Sequence, residues 1–599
     1  MCYGIPLGSN EYVAHQLQEK AQEIADDAER TVEVLSGDRQ ALWSVLRLSI
    51  MTRFEYFCQL SPPSLSEPVA AGLDDRLWGV LEAAVGFSVP KGEAGDVVSC
   101  PAGELDGRSY QEWLLRLPVR LHGWGFRSLV DTCGPAYLGA LETAIPCMTG
   151  ENGLCRPMEG AWGGEDCWGE GAIPDERWRV LLQSGCQEGL ELQGWWGKVQ
   201  REAREAAQFL GEPLDLLLTS DPRGLGGSCR TGATRGQVVE ARDMVRSRLL
   251  TRSLELHRPK KDRHAWAWRQ RDKLSSAWLL SLPGGGEFLS NEEFSNSAAI
   301  NLCVPPPCVA GREGETIRGR AVVDRHGDAV QSTVITGDHF RQRHDLLKMT
   351  IYDLCRWAGL PAEVEVFNLF CRLIPQEGLA RFEKERQRQA VIPDFRIVVP
   401  VAGQPTSVLH ELKCISVSQS RYKPGGVQQA VEKRADELHE EYVRKAKEVD
   451  RLYVGTQPGH VGPVQAKLLS FERVQGLVFG AFGEASQAVH QLIDTLANSR
   501  VFVAGPQRAK RGFERSVDAE RALEVGHLRR RISVTACRAQ CHTLLGRLQV
   551  LGPAGLQKLG ARAKNVELHQ SMQRDRMAFR EILRTSNWRL KLGFGKNNQ

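Results

Sequence analysis

No stretch of the chain approaches the roughly 18 uninterrupted apolar residues that a membrane-spanning helix needs, and the segment from Met1 to Lys20 lacks a basic flank running into an apolar core. Neither secretion nor membrane insertion is expected, and the protein is placed inside the cell, in the nucleus or the cytoplasm. There is no Gly-rich loop ending in Lys-Ser/Thr, no His-Glu-x-x-His and no Gly-x-Ser-x-Gly. Phosphate-loop nucleotide hydrolases, helix-borne zinc proteases and serine-elbow hydrolases therefore find no support. The 16 cysteines form no regular framework; their irregular scatter suits a reducing compartment, where most act as buried thiols.

What is present is a long globular chain. At 599 residues it exceeds one hydrophobic core, so three or four domains are expected, and 42% hydrophobic with 25% charged residues is ordinary soluble composition. The small net charge of +4 hides an asymmetry. Residues 501–599 hold 20 Lys and Arg against 7 Asp and Glu, a surplus of 13 positive charges that leaves the first 500 residues at −9. A basic C-terminal tail points to a polyanionic partner; the alternative is a solvated helical surface with no partner.

Helical periodicity runs from Glu11 (Tyr12, Leu17, Ala21, Ile24), breaks around Ser36-Gly37-Asp38 and resumes from Leu42 to Phe57. Ser61-Pro62-Pro63-Ser64 closes that unit; a further helix is predicted from Leu73 to Val85 and a small-residue helix ends near Ala144. Residues 1–149 thus form a helical part. Residues 150–289 combine a Gly/Trp-rich insert, a linker at Ser220 to Cys229 and a basic helix from Gln237 to Arg252. Residues 290–500 alternate helices with short β-rich segments as an α/β domain does, and residues 501–599 form a basic helical tail. Within the tail, Cys537-x3-Cys541-His542 reads as core thiols on a helix rather than as a metal site.

One constellation carries chemistry. Pro393-Asp394 is followed, after sixteen residues, by Glu411-Leu412-Lys413. Asp394 to Val399 and Val408 to Ile415 are both strand-like and are separated by the turn-prone Ala402-Gly403-Gln404-Pro405, which predicts a hairpin. Side chains alternate along a strand, so Glu411 and Lys413 share a face. With Asp394 at the start of the partner strand, two carboxylates meet at one divalent cation beside an ammonium, as phosphodiester hydrolysis requires. The alternative is a surface hairpin with an exposed ion pair worth at most about 1 kcal/mol. The flanks are ordered: a helix from Arg341 to Ala358 stopping at Gly359, a strand Glu363 to Phe367, a long helix opened by Gly425-Gly426, and a strand Arg451 to Gly455.

The order helix, three strands, helix, strand resembles the core of the PD-(D/E)XK superfamily, the restriction-endonuclease-like fold. The resemblance implies Asp394, Glu411 and Glu365 as Mg²⁺ (or Mn²⁺) ligands, Lys413 as the water-activating residue and Gln428 or Gln429 as a residue touching the site.

Ahead of this core, Cys303-x4-Cys308, His326-Gly327-Asp328, Gly337-Asp338-His339 and Arg343-His344-Asp345 resemble the region preceding the restriction-like endonuclease of non-LTR retrotransposons. That likeness implies a Zn²⁺ group from Cys303, Cys308, His339 and His344, against which stands the plainer reading of buried thiols and helix-start histidines. Gly4-Ile5-Pro6-Leu7-Gly8-Ser9 and the Leu117-Pro118 to Gly125-Phe126 block resemble the post-palm segment and helical thumb of algal and protist retroelement reverse transcriptases. Paired palm aspartates are absent, and Asp74-Asp75 reads as a cap or surface acid. The family likeness implies a DNA endonuclease that nicks target DNA to prime reverse transcription, with element RNA and a polymerase core as further partners. Arg343, His344, Arg529, Arg530, Arg531 and Arg538 would then hold phosphates. A nucleic-acid-binding remnant without cleavage is the alternative.

Overall fold

A computed structural model describes residues 6, 8–92, 108–148, 201, 204–211, 233–257, 263–284, 287–334, 339–366, 369–385, 391–401, 404–417, 422, 429–471, 473–509 and 516–548. The Trp-rich insert, the linker at Ser220 to Cys229, Gln428 and the tail beyond 548 lie outside the described residues. The chain is mostly helical with small sheets. It divides into two compact units, Met1–Trp268 with Ser290–Ala298, and Arg269–Leu289 with Ala299–Gln599.

The first unit contains helices α1 (Asn10–Leu35), α2 (Arg39–Val45), α3 (Met51–Leu60), α4 (Pro63–Val85), α5 (Tyr110–Arg116), α6 (Leu129–Met148) and α7 (Ala233–His257). Ser9 caps the start of α1 with its side-chain oxygen, and Asp38 does the same for α2, so a new helix begins where the periodicity breaks at 36–38. Helix α4 starts ten residues earlier than expected. Pro63, expected to end a unit, occupies the first turn of α4, where its missing N–H costs nothing. Trp43 and Trp124 are fully buried and meet edge to face, their ring centroids 5.3 Å apart. Asp74 is no surface acid. It is buried on α4, accepts the Leu129 amide at 3.0 Å and the Ser128 hydroxyl at 2.5 Å, and so caps α6 from outside that helix.

Helices α8 (Arg263–Gln270) and α9 (Asn291–Leu302) follow, and the two-stranded ribbon β1 (Thr316–Ile317) with β2 (Ala321–Val322) comes next. Then come α10 (Asp328–Ser332), α11 (His339–Trp357), β3 (Ala362–Val364), α12 (Gln376–Lys384), β4 (Phe395–Val401), β5 (Gln404–Cys414), α13 (Ala430–Val449), α14 (Pro463–Leu469), β6 (Gln475–Phe479), α15 (Gln487–Ala509) and α16 (Val517–Arg547). The larger sheet has the order β3-β4-β5-β6. Its first two pairings are antiparallel and β5 with β6 is parallel, a connection that needs the crossover supplied by α13 and α14.

The hairpin forms as its alternation dictates. Phe395, Ile397 and Leu412 pack on one face of the sheet with α11, α15 and α16, through Leu347, Ile351, Val489, Ile493, Leu528 and Ile532. Leu409 turns to the other face and joins Tyr442, Ala446, Val449, Phe370 and Phe382. Two expectations are corrected. Arg451 to Gly455 is not a strand: residues Asp450–Val454 continue α13 as a π-turn ended by Gly455 at φ +81°, and the fourth strand is Gln475–Phe479. Nor does packing divide the chain near residue 500, because α16 contributes Val525, Leu528, Ile532 and Ala536 to the core beneath the sheet.

Candidate active site

Pairing of Phe395 with His410 fixes the hairpin register and sets Asp394 opposite Glu411. Both acids are buried, at 9% and 8% exposure. The Asp394 amide donates to Glu411 Oε2 at 3.3 Å, and Asp394 Oδ2 accepts the Leu412 amide at 2.9 Å, so the two side chains hold one another through the hairpin backbone. Lys413 Nζ lies 2.5 Å from Glu411 Oε1 and is 37% exposed, which leaves its ammonium open to a ligand. The Tyr442 hydroxyl, carried in from α13, reaches Glu411 Oε2 at 2.7 Å and the Ile392 carbonyl at 2.9 Å.

Helix α11 delivers three more charged groups. His344 Nε2 is 3.1 Å from Asp394 Oδ2 and its Nδ1 is 3.1 Å from Asp345 Oδ1. Lys348, one turn on, is buried with its Nζ 2.9 Å from Glu365 Oε1, 3.5 Å from Asp345 Oδ1 and 3.6 Å from Asp394 Oδ1. Glu365 follows β3 at φ +50°, a left-handed conformation uncommon outside glycine, and its amide still donates to the Asp394 carbonyl at 2.8 Å.

Charge and burial set the protonation of this group. Burial disfavours the imidazolium of His344, yet its hydrogen bonds to Asp345 and Asp394 outweigh that and hold its pKa up at about 9. Burial likewise works against ionised Asp394, but His344 and the Lys348 charge bring its pKa below the usual carboxylate value. Glu411 goes the other way: burial, and then the Asp394 charge, push its pKa up against the pull of Lys413 and Tyr442. Two facing carboxylates with pKa values driven apart are a mark of functional sites, though ion-pair networks produce it too.

Of the residues picked from sequence, Asp394, Glu411 and Lys413 come together, and Glu365 joins them through Lys348. The zinc group does not assemble. Among the described residues no three His, Cys, Asp or Glu side chains are grouped to hold a metal, Asp394, Glu411 and Glu365 included, and both ring nitrogens of His344 are taken up by carboxylates. Cys308 packs against an apolar cluster containing Val309, Ile317 and Leu544, and burial raises its thiol to about 12, which disfavours the ligating thiolate.

Arg343 is not a surface phosphate binder. It is buried at 3% exposure and donates to the Gly480 carbonyl at 3.1 Å, near the end of β6. Arg529, Arg530, Arg531 and Arg538 are half-buried on α16; Arg530 lies 3.5 Å from Glu287, and Arg538 donates to the Phe288 carbonyl.

Sequence reasoning missed Lys348 and Tyr442. A signal for Lys348 was present. Residues 344, 348, 351, 352 and 355 share one stripe of α11, and a cation on a stripe otherwise made of Ile351, Tyr352 and Cys355 needs acids to face. Compared with protein-family models, with curated proteins and with solved structures, the chain shows no match. No helix among the described residues is long and apolar enough to cross a membrane.

Proposed function

We propose that the second unit is a Mg²⁺-dependent DNA endonuclease of PD-(D/E)XK type. The observation that carries the reading is the juxtaposition of buried Asp394 and Glu411 across the β4–β5 hairpin, with the Lys413 ammonium on Glu411. The donors suit the metal: carboxylate oxygens are what a hard divalent cation selects, and Mg²⁺ is commonly held by one or two carboxylates and water rather than by a full protein cage. A positive charge, the Lys348 ammonium, already stands beside Asp394, between it and Glu365.

When bound, Mg²⁺ supplies charge neutralisation for the phosphate and a more acidic water. The chain does the rest. The Leu412 amide fixes the Asp394 carboxylate, Tyr442 and Lys413 fix that of Glu411, and Lys413, the most exposed cation of the group, orients the attacking water beside the phosphate. The order of α11, β3, β4, β5, α13 and β6, with α12 and α14 as additions, supports the same assignment. We extend it to the retroelement resemblance: target DNA as substrate, nicked to leave a 3′-hydroxyl for reverse transcription, with the helical first unit as thumb-like and the basic C-terminal segment as a backbone-binding element.

Incubating the purified full chain with supercoiled plasmid and Mg²⁺ tests the reading. Nicked circles are expected, and they should vanish in Asp394→Asn and Lys413→Met. Salt-sensitive DNA binding without any nicking would instead identify a non-cleaving nucleic-acid-binding remnant.

A further inference from the structure

Two lysines stand in this site, and their surroundings differ. Lys413 touches one carboxylate and is open to solvent. Lys348 is buried inside α11 and lies within 3.6 Å of three carboxylates, on Asp345, Glu365 and Asp394. A buried ammonium is held only where paired acids offset its lost hydration, and here those acids come from three separate elements. Two of them, Asp394 and Glu365, are among the three acids that the family resemblance implies as ligands of the divalent cation.

We propose that Lys348 is the resident cation of the metal site and sets its affinity, its ammonium occupying the place between Asp394 and Glu365 that a divalent cation takes. This rests on the endonuclease reading in so far as Asp394 is a ligand. Displacement has somewhere to go: Asp345, at the rim of the group and 32% exposed, already lies 3.5 Å from the ammonium and keeps it paired as it turns outward. The surrounding charged and titratable groups are His344 and Asp345 on α11, Glu365 after β3, Asp394 before β4, Glu411 and Lys413 on β5, and Tyr442 on α13. Lys348 is the member whose ammonium bridges Asp394 and Glu365.

The experiment is calorimetric titration of the full chain with Mn²⁺, paired with thermal unfolding in EDTA and in Mn²⁺. Lys348→Met keeps the length of the side chain and removes the charge. It should bind Mn²⁺ at least about tenfold more tightly than the wild type, because a unit positive charge within 4 Å of a ligand oxygen has gone. Its midpoint should fall in EDTA, where facing carboxylates lose their counter-charge, and recover in Mn²⁺. Lys348→Gln carries the same expectation should the methionine variant not fold, while Lys348→Arg should stay within about threefold of wild type.

Unchanged or weaker Mn²⁺ binding in the neutral variants overturns the proposal. So does a midpoint lost in EDTA and not regained with Mn²⁺, the mark of a purely structural lysine. Mn²⁺ binding that depends on Asp394, by comparison with Asp394→Asn, but is indifferent to Lys348 sinks this inference alone. No Asp394-dependent binding in any variant sinks it together with the endonuclease reading.

Discussion

Tyr442→Phe removes one oxygen from the site and leaves the ring of α13 in its apolar surroundings. That oxygen is 2.7 Å from Glu411 Oε2, in a place where Glu411 has almost no access to water. Burial and the neighbouring Asp394 charge already raise the Glu411 pKa, and the Tyr442 hydroxyl is one of the groups that counter them. A hydrogen bond to a charged acceptor contributes about 1.5 to 3 kcal/mol, and about 1.4 kcal/mol corresponds to one pH unit. The lost donor stabilised the carboxylate, so without it Glu411 keeps its proton to higher pH. The acid limb of the nicking profile should therefore move upward by about one unit or more, while the rate at alkaline pH stays close to wild type. Single-turnover nicking of supercoiled plasmid, measured at constant Mg²⁺ from about pH 5 to 9, reads this directly. A uniform loss at every pH, or a profile that superimposes on the wild type, would refute the claim that Tyr442 acts by keeping Glu411 ionised.

Other perturbations test the frame around the site. Asp74→Ala removes the acceptor of the Leu129 amide and the Ser128 hydroxyl, and should destabilise the first unit by about 1 to 3 kcal/mol in urea denaturation, with Asp74→Asn recovering part of the loss. A Cβ at Gly476 would lie 2.6 Å from the backbone Cα of Ala435, so Gly476→Ala should push α13 from β6 at a cost of about 1 to 3 kcal/mol in urea denaturation and slow nicking. Burial depresses the pKa of His410 to about 4, so the unfolded chain takes up this proton first and the native state loses stability as pH falls from about 6.5 to 4, by at most about 3 kcal/mol. Urea midpoints for His410→Leu should be flatter than wild type across that window.

The hairpin was legible because two independent signals coincided. Alternating branched residues in Asp394 to Val399 and Val408 to Ile415 match the two sheet faces, and the turn residues between them fix a register that puts Asp394 opposite Glu411. Helix α11 was legible for the same reason, its period ending at Gly359 with φ +75°. Arg451 to Gly455 misled because Leu-Tyr-Val has strand propensity, whereas Tyr453 is held by packing against Phe382 at 5.1 Å and by its hydroxyl on Glu385. Local propensity yields to such contacts. Basic residues on α16 suggested a free tail, because charge is counted along the chain while Val525, Leu528 and Ile532 bury a different stripe of the same helix. His344 was noticed for its neighbours in sequence, yet its partner Asp394 lies fifty residues away, and only the fold could pair them.

Four carboxylates, on Asp345, Glu365, Asp394 and Glu411, face three cationic side chains, on His344, Lys348 and Lys413. Without a metal, each acid therefore has a counter-charge within about 4 Å, at separations where an effective dielectric near 20 makes unit charges worth about 4 kcal/mol. This explains how four acids can be concentrated at the end of a hairpin without unfolding it. It also constrains how the site can work, because every positive charge that steadies these acids opposes the entry of another. A divalent cation adds two positive charges to a group whose deficit is one when all seven are ionised. Entry must then be accompanied by the outward movement of an ammonium or the loss of a proton, and the side chain with an alternative acid at the rim is Lys348. On this reasoning metal affinity should rise as α11 cations are removed and fall as hairpin acids are removed. An ordinary surface ion-pair network would show neither trend.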